Sequence, residues 1–102
     1  MNAVIVRYEL DPDRLDEHLE LISQVFDHLR ATTPDGVHYG VMRSVDGTSF
    51  THIGVYENDD ARGVAGGSAP FQAFVAEIAD RCKIPPVAIE QTVVEGFAIF
   101  AN

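Results

Sequence analysis

The sequence predicts an α+β domain of order βαββαβ, with four strands in one antiparallel sheet and two helices on one face of it. Three observations predict this. Short runs rich in β-branched residues are bounded by Asp, Pro and Gly, two longer stretches carry apolar residues at spacings of three and four, and Asp46-Gly47 joins two of the β runs as a hairpin signal. The 102 residues make a single domain over 1–102, and 46% apolar with 23% charged residues is an ordinary globular composition.

Taken in order, residues 3–10 (Ala-Val-Ile-Val-Arg-Tyr-Glu-Leu) read as the first strand. Asp11-Pro12 places an N-cap and a first-turn proline at the start of a helix. Leu15, Leu19, Ile22, Phe26 and Leu29 give that helix one apolar face to about Ala31, and Thr33-Pro34-Asp35-Gly36 breaks it. Residues 37–44 and 48–57 are the next two strands, and 58–67, with three glycines, reads as a loop. Ser68 is placed to cap a second helix that buries Phe71, Phe74, Val75, Ile78 and Cys82, until Pro85-Pro86 stops it. Residues 87–95 form the fourth strand, and Phe97, Ile99 and Phe100 lie in an apolar tail.

This order is the split-βαβ, ferredoxin-like arrangement. Two helices cover only one sheet face, yet neighbours such as Ile5 and Val6, or Val41 and Met42, are apolar on both. The uncovered face and the tail therefore predict packing on a second copy of the chain, a homodimer, with the tail folded back on its own sheet as the alternative.

The Asp46-Gly47 turn, taken as a two-residue type I′ loop, sets Val45 opposite Thr48 and fixes which residues share a face. One face then carries Val37, Tyr39, Val41 and Arg43 with Phe50, His52, Gly54 and Tyr56. Two tyrosines, a histidine and an arginine among apolar neighbours are the composition of a small-molecule site, and Gly54 opposite Tyr39 leaves room for a ligand. His52 and Tyr56 are the candidate catalytic residues. Tyr39, Arg43, Gly54, Phe50, Phe26 and Phe74 are the candidate substrate-binding residues. Tyr and His are equally common as satisfied core residues, and Arg43 near a strand end also reads as a surface group.

Other chemistries find little footing. With 16 acidic residues against 7 basic ones the net charge is −9, which argues against nucleic acid or an anionic membrane as partner. The single cysteine, Cys82, allows neither an intrachain disulfide nor a Cys-based zinc site, and reads as a buried helical thiol. The hairpin register sets His38 and His52 on opposite faces, and His18 and His28 are about 1,000° apart around their helix, so no metal site is expected. Residues 63–68 lack the Lys of a phosphate-binding loop and read as a wide turn or flexible lid. No apolar run approaches the length of a membrane span, and Met1 leads straight into a strand, so a cytoplasmic setting is expected.

The pattern resembles the dimeric α/β-barrel superfamily, particularly its antibiotic-biosynthesis-monooxygenase-like domains. The resemblance rests on Val4-Ile5-Val6-Arg7 leading to Asp11-Pro12, on Thr33-Pro34-Asp35-Gly36, on Gly54-Val55-Tyr56-Glu57-Asn58, and on Ser68-Ala69-Pro70-Phe71-Gln72-Ala73-Phe74. It covers nearly the whole chain and concerns architecture more than activity. It implies a homodimer whose sheets form a barrel, a pocket between sheet and helices, and chemistries ranging from oxygenation of aromatic substrates without metal or flavin to haem degradation, isomerisation or none. The Trp usual near the end of the third strand is Tyr56 here, and the Asn of the quinone-forming members falls on His52. The residues of the haem-degrading members fall on Val6, Ala65 and Val75, and the His found before the second helix of other members falls near Ala65 or Gly66. All those groups are missing, so haem degradation is not expected.

Two functions follow as expectations. One is an enzyme without cofactor, acting on a small aromatic molecule. His52, near its natural pKa, would serve as general base, and Tyr56 and Tyr39, aided by Arg43, would hold the oxyanion. The resulting carbanion would react with O2 or be reprotonated in an isomerisation. The other is a non-catalytic homodimer that binds a small molecule or packs its pocket shut.

Overall fold

The computed structural model describes residues 1–98, so Ile99 and Phe100 of the predicted tail lie outside the described residues. The strands are β1 (Asn2–Leu10), β2 (Val37–Arg43), β3 (Ser49–Tyr56) and β4 (Cys82–Gln91), in one antiparallel sheet of order β2-β3-β1-β4. The helices are α1 (Leu15–Thr32), α2 (Asp59–Gly66), α3 (Ala69–Val75) and the single turn α4 (Ile78–Arg81).

A 3-10 turn, Pro12–Arg14, leads into α1. The Asp11 carboxylate accepts from the Asp13 amide at 3.0 Å, satisfying a donor that the first turn leaves open. The apolar face of α1 is rotated from the one expected. His18 and Val25 are its buried residues, whereas Leu19 is 38% exposed. The buried stripe thus runs Leu15, His18, Ile22, Val25, Leu29, and a histidine sits within it.

The β2–β3 hairpin keeps the expected pairing, with Tyr39 opposite Gly54 and Val41 opposite His52. Its loop is a correction. The last closing bond runs from the Ser44 amide to the Ser49 carbonyl at 2.9 Å, so residues 45–48 form a four-residue loop. Asp46 organises it, accepting from the Ser44 hydroxyl and from the Thr48 amide at 3.0 Å, while Gly47 takes φ +90°. Adding one residue to each side of a loop leaves the pairing unchanged, which is why the face assignment survives.

The region after β3 differs most from expectation. Residues 59–66 are helical, not a loop or lid. Asn58 caps them by accepting from the Ala61 amide at 2.8 Å, Asp59 and Asp60 favour the positive end of the helix, and Ala61 and Ala65 pack against Tyr56. The helix expected from Ser68 ends at Val75, because Glu77 turns left-handed at φ 58° and Arg81 captures the carbonyls of Phe74 and Ala76. Val75 is 38% exposed rather than buried. Cys82 opens β4 instead of lying in a helix, and Pro85-Pro86 lies inside that strand. An edge strand tolerates proline, and the register slips by one residue between Val87 and Ile84, forming a bulge that accommodates the pair.

The helices cover the sheet face formed by Val6, Tyr8 and Leu10 of β1 with Phe50 and His52 of β3, and the main core lies between. On the other face Ile5 stands between Ile53 and Ile89, and Met42, Ile84, Val87 and Ile89 are each more than half exposed. Phe97 is 92% exposed.

Candidate functional site

Along β1, β2 and β3 the period of two sends Tyr8, Tyr39 and His52 to the helix side, where α1 contributes His18 and α4 contributes Arg81. These five side chains form one continuous hydrogen-bonded chain. Arg81 Nε donates to His18 Nδ1 at 3.2 Å, His18 Nε2 meets the Tyr8 hydroxyl at 2.5 Å, that hydroxyl meets His52 Nε2 at 2.7 Å, and His52 Nδ1 meets the Tyr39 hydroxyl at 2.7 Å. His18 is 0% exposed, Arg81 2%, Tyr8 4% and His52 4%. Aromatic rings enclose the chain. Phe50 stacks on Tyr8 with ring centres 5.5 Å apart, Phe74 lies 5.2 Å from His18 and 5.3 Å from His52, and Phe26 lies 5.8 Å from Tyr39.

Burial sets the electrostatics. It lowers the pKa of His52 from 6.5 to about 4, helped by His18. It lowers His18 likewise to about 4, helped by the Arg81 cation. Both imidazoles are therefore neutral at neutral pH. His52 does not have the near-natural pKa expected of a general base, because the charged imidazolium would lie among Phe74, Tyr8 and Val41 without water. Burial also raises the Tyr8 and Tyr39 phenols well above their ordinary value of 10, so both stay protonated. The Arg81 cation has no carboxylate partner among the described residues. Its guanidinium instead donates to Ala76 O at 3.0 Å and Phe74 O at 2.5 Å, two carbonyls at the end of α3.

The sequence-derived candidates are thus partly united. Tyr39, His52, Phe50, Phe74 and Phe26 share this cluster. Tyr56 belongs to a neighbouring one with Ala61, Ala65, Val4 and Val37, and the Arg62 guanidinium lies 5.8 Å from its ring centre. The space above Gly54 is not left for a ligand: a Cβ there would lie 2.6 Å from Tyr56 Oη, so the tyrosine ring fills it. Arg43 is exposed at the end of β2, away from the chain of hydrogen bonds. His38 faces the other way and meets Glu57 at 3.3 Å. Tyr8, His18 and Arg81 are the residues that sequence reasoning missed. His18 alone carried a signal, lying three residues after Leu15 and four before Ile22.

No water fits among Ile22, Val25, Phe26, Tyr39, Val41, His52, Phe71 and Phe74, so His52 is sealed. One open space lies beside it. A groove of about 620 Å³ is lined by Phe26, Leu29, Val37 and Tyr39 together with the charged Arg30, Asp35 and Glu57, and Tyr39 is the one member of the hydrogen-bonded chain that borders it. Among the described residues no three His, Cys, Asp or Glu side chains come together to hold a metal ion.

Among curated proteins none matches this chain. Several solved structures share the fold. Rv0793 from Mycobacterium tuberculosis is 22% identical with a TM-score of 0.78, over 93% of this chain and 96% of its own. A crystal structure described as an antibiotic biosynthesis monooxygenase is 16% identical with a TM-score of 0.77, over 93% of this chain and 100% of its own. NE2512 from Nitrosomonas europaea, described as of unknown function, is 14% identical with a TM-score of 0.74, over 94% and 91%. The model of the antibiotic biosynthesis monooxygenase family matches residues 1–77, from β1 through α3. With three quarters of its length matched and the four-stranded, helix-backed sheet in common, the chain belongs to the antibiotic biosynthesis monooxygenase family.

Proposed function

We propose that this protein is a cofactor-independent monooxygenase-type enzyme for a small, largely apolar aromatic molecule with an enolisable carbonyl or acidic phenol. The observation that carries the reading is the groove bordered by Tyr39, whose hydroxyl is hydrogen-bonded to the sealed His52. The aromatic body lies along Phe26, Leu29 and Val37, and Tyr39 donates to the substrate oxygen as negative charge develops on it. His52 holds the Tyr39 hydroxyl in place and is a positioning residue. Phe74 packs against the His52 ring and Phe50 stacks on Tyr8. In the oxygenation itself a methylene next to the carbonyl gives up two hydrogens. It keeps one atom of O2 as a new carbonyl, and the other atom leaves with those hydrogens as water. The substrate supplies all the electrons, so no separate reductant is needed.

The protein works as a homodimer in this reading. The row Ile5, Ile53 and Ile89, flanked by exposed Val87 and Ile84, is an apolar face that a second sheet would cover. Among the described residues no helix is long and apolar enough to cross a membrane. A second reading, a non-catalytic small-molecule-binding homodimer, is favoured by the absence of space at His52.

Oxygen uptake with a panel of enolisable aromatic ketones and phenols separates the two. Removing one oxyanion donor by Tyr39→Phe is expected to lower turnover roughly 100-fold. Undiminished uptake by that variant refutes the proposed donor, and binding of the panel without uptake supports the second reading.

A further inference from the structure

The five-membered hydrogen-bonded chain has one hydrogen to place at each link, and one end of it is fixed. Arg81 has only donors, so its Nε–H obliges His18 Nδ1 to accept. A neutral His18 then carries its proton on Nε2 and donates it to the Tyr8 oxygen. The single Tyr8 proton is left for His52 Nε2, and the neutral His52 carries its own proton on Nδ1, directed at the Tyr39 oxygen. Only the Tyr39 hydroxyl hydrogen is left without an acceptor among the described residues. Reversing the whole chain would set two donors face to face at Arg81, and reversing only its His52–Tyr39 end would leave the hydrogen of the buried Tyr8 hydroxyl without an acceptor.

We infer that Arg81, four hydrogen bonds away from Tyr39, fixes the direction of this chain, so that Tyr39 is always a hydrogen-bond donor to whatever occupies the groove. The ligand is therefore selected for an acceptor oxygen, a carbonyl or an oxyanion, over a molecule that offers only a donor. This ligand class rests on the groove reading above, whereas the direction of the chain rests on the hydrogen bonds alone. Arg81 is a positioning residue, and it lies beyond the residues 1–77 that the family model matches. Its guanidinium suits the role because it offers donors and no acceptor, and because two of its nitrogens are tied to Phe74 O and Ala76 O while the third faces His18.

The test is the tautomeric state of the histidines, read by long-range proton–nitrogen correlation on the uniformly nitrogen-15-labelled wild-type protein at neutral pH. His18 is expected with its proton on Nε2 and His52 with its proton on Nδ1. The opposite tautomer at either residue, or an imidazolium at either, overturns the inference. Arg81→Met, where it folds, should release both histidines into mixed tautomers, and unchanged tautomers there overturn the role of Arg81. The wild-type spectrum decides the direction of the chain whether or not that variant folds. For the ligand class, 1-tetralone (acceptor only) and indole (donor only) are titrated into the wild-type protein, and tetralone is expected to bind about tenfold more tightly. Equal or tighter binding of indole overturns the selectivity. If neither binds, the groove reading and the ligand class fall together, while the tautomers still decide the direction of the chain independently.

Discussion

Acidification should destabilise this protein well before its carboxylates are protonated. His18 and His52 have an ordinary pKa of 6.5 and are held at about 4 in the native state. The unfolded chain takes up a proton on each as the pH falls through 6.5, and the native chain does so only near 4. Between those values the unfolded state binds more protons, so the stability is fully present above 6.5 and is lost as the pH drops. At 1.36 kcal/mol per pKa unit, each histidine costs about 2 kcal/mol at pH 5 and about 3 kcal/mol at pH 4. Two of them remove roughly 4 kcal/mol by pH 5, a large share of the ~5–15 kcal/mol that a domain has. Urea unfolding followed by far-UV circular dichroism at a series of pH values measures this directly. Glu17, Asp46 and Glu90, whose pKa values lie below their ordinary 4.5, 3.8 and 4.5, weaken the fold only at lower pH, so the window from 6.5 to 5 belongs to the histidines. His52→Gln removes one of the two titrations and should halve the slope in that window, whatever it does to the absolute stability. A stability that is flat from pH 7 to pH 5 would refute the claim that both imidazoles are sealed and neutral.

Gly54→Ala should cost about 1–3 kcal/mol, read as a lowered urea midpoint with a changed near-UV spectrum, because the new methyl meets Tyr56 Oη at 2.6 Å. A change below about 0.5 kcal/mol would mean that the Tyr56 ring moves aside freely. Light scattering at micromolar concentration should give twice the mass of one chain, and Ile89→Asp, which sets a charge in the apolar row beside Ile5, should halve it without altering the far-UV spectrum. A wild-type monomer would remove the dimer from the proposal.

Most of the fold was legible because its signals are local. Asp11-Pro12 marks a helix start through one capping bond and one missing N–H, and the pairing of β2 with β3 follows from a turn centred on Asp46-Gly47, which any symmetric lengthening of the loop preserves. The misreadings fall where two local signals compete. Residues 58–67 hold three glycines, which argue for a loop, and Asn58-Asp59-Asp60, which argue for a helix start. The cap prevails because Ala61 and Ala65 bury themselves against Tyr56, a contact between elements that no local pattern announces. Pro85-Pro86 ends a helix in isolation. Here it sits in an edge strand, because Arg81 has already drawn the chain back by seizing the carbonyls of Phe74 and Ala76.

The site was half legible for a related reason. Period-two alternation is enough to put Tyr39 and His52 on one face, since both lie on one hairpin. Tyr8, His18 and Arg81 come from three other elements, and what joins them is satisfaction of buried polar atoms rather than any sequence spacing. An acidic chain offers many carboxylates that could have paired with Arg81, and such a pair would have been the ordinary way to bury a cation. A carboxylate beside Arg81 would also have taken the Nε–H that His18 now accepts, leaving the imidazole free to flip and both tyrosines free to turn. Holding the cation with two backbone carbonyls, which cannot titrate or rotate away, leaves its third donor for the neutral His18. The unusual partner set of one arginine thus accounts at once for the tautomer of His18, for the end of α3 and for the hydrogen that Tyr39 has to offer.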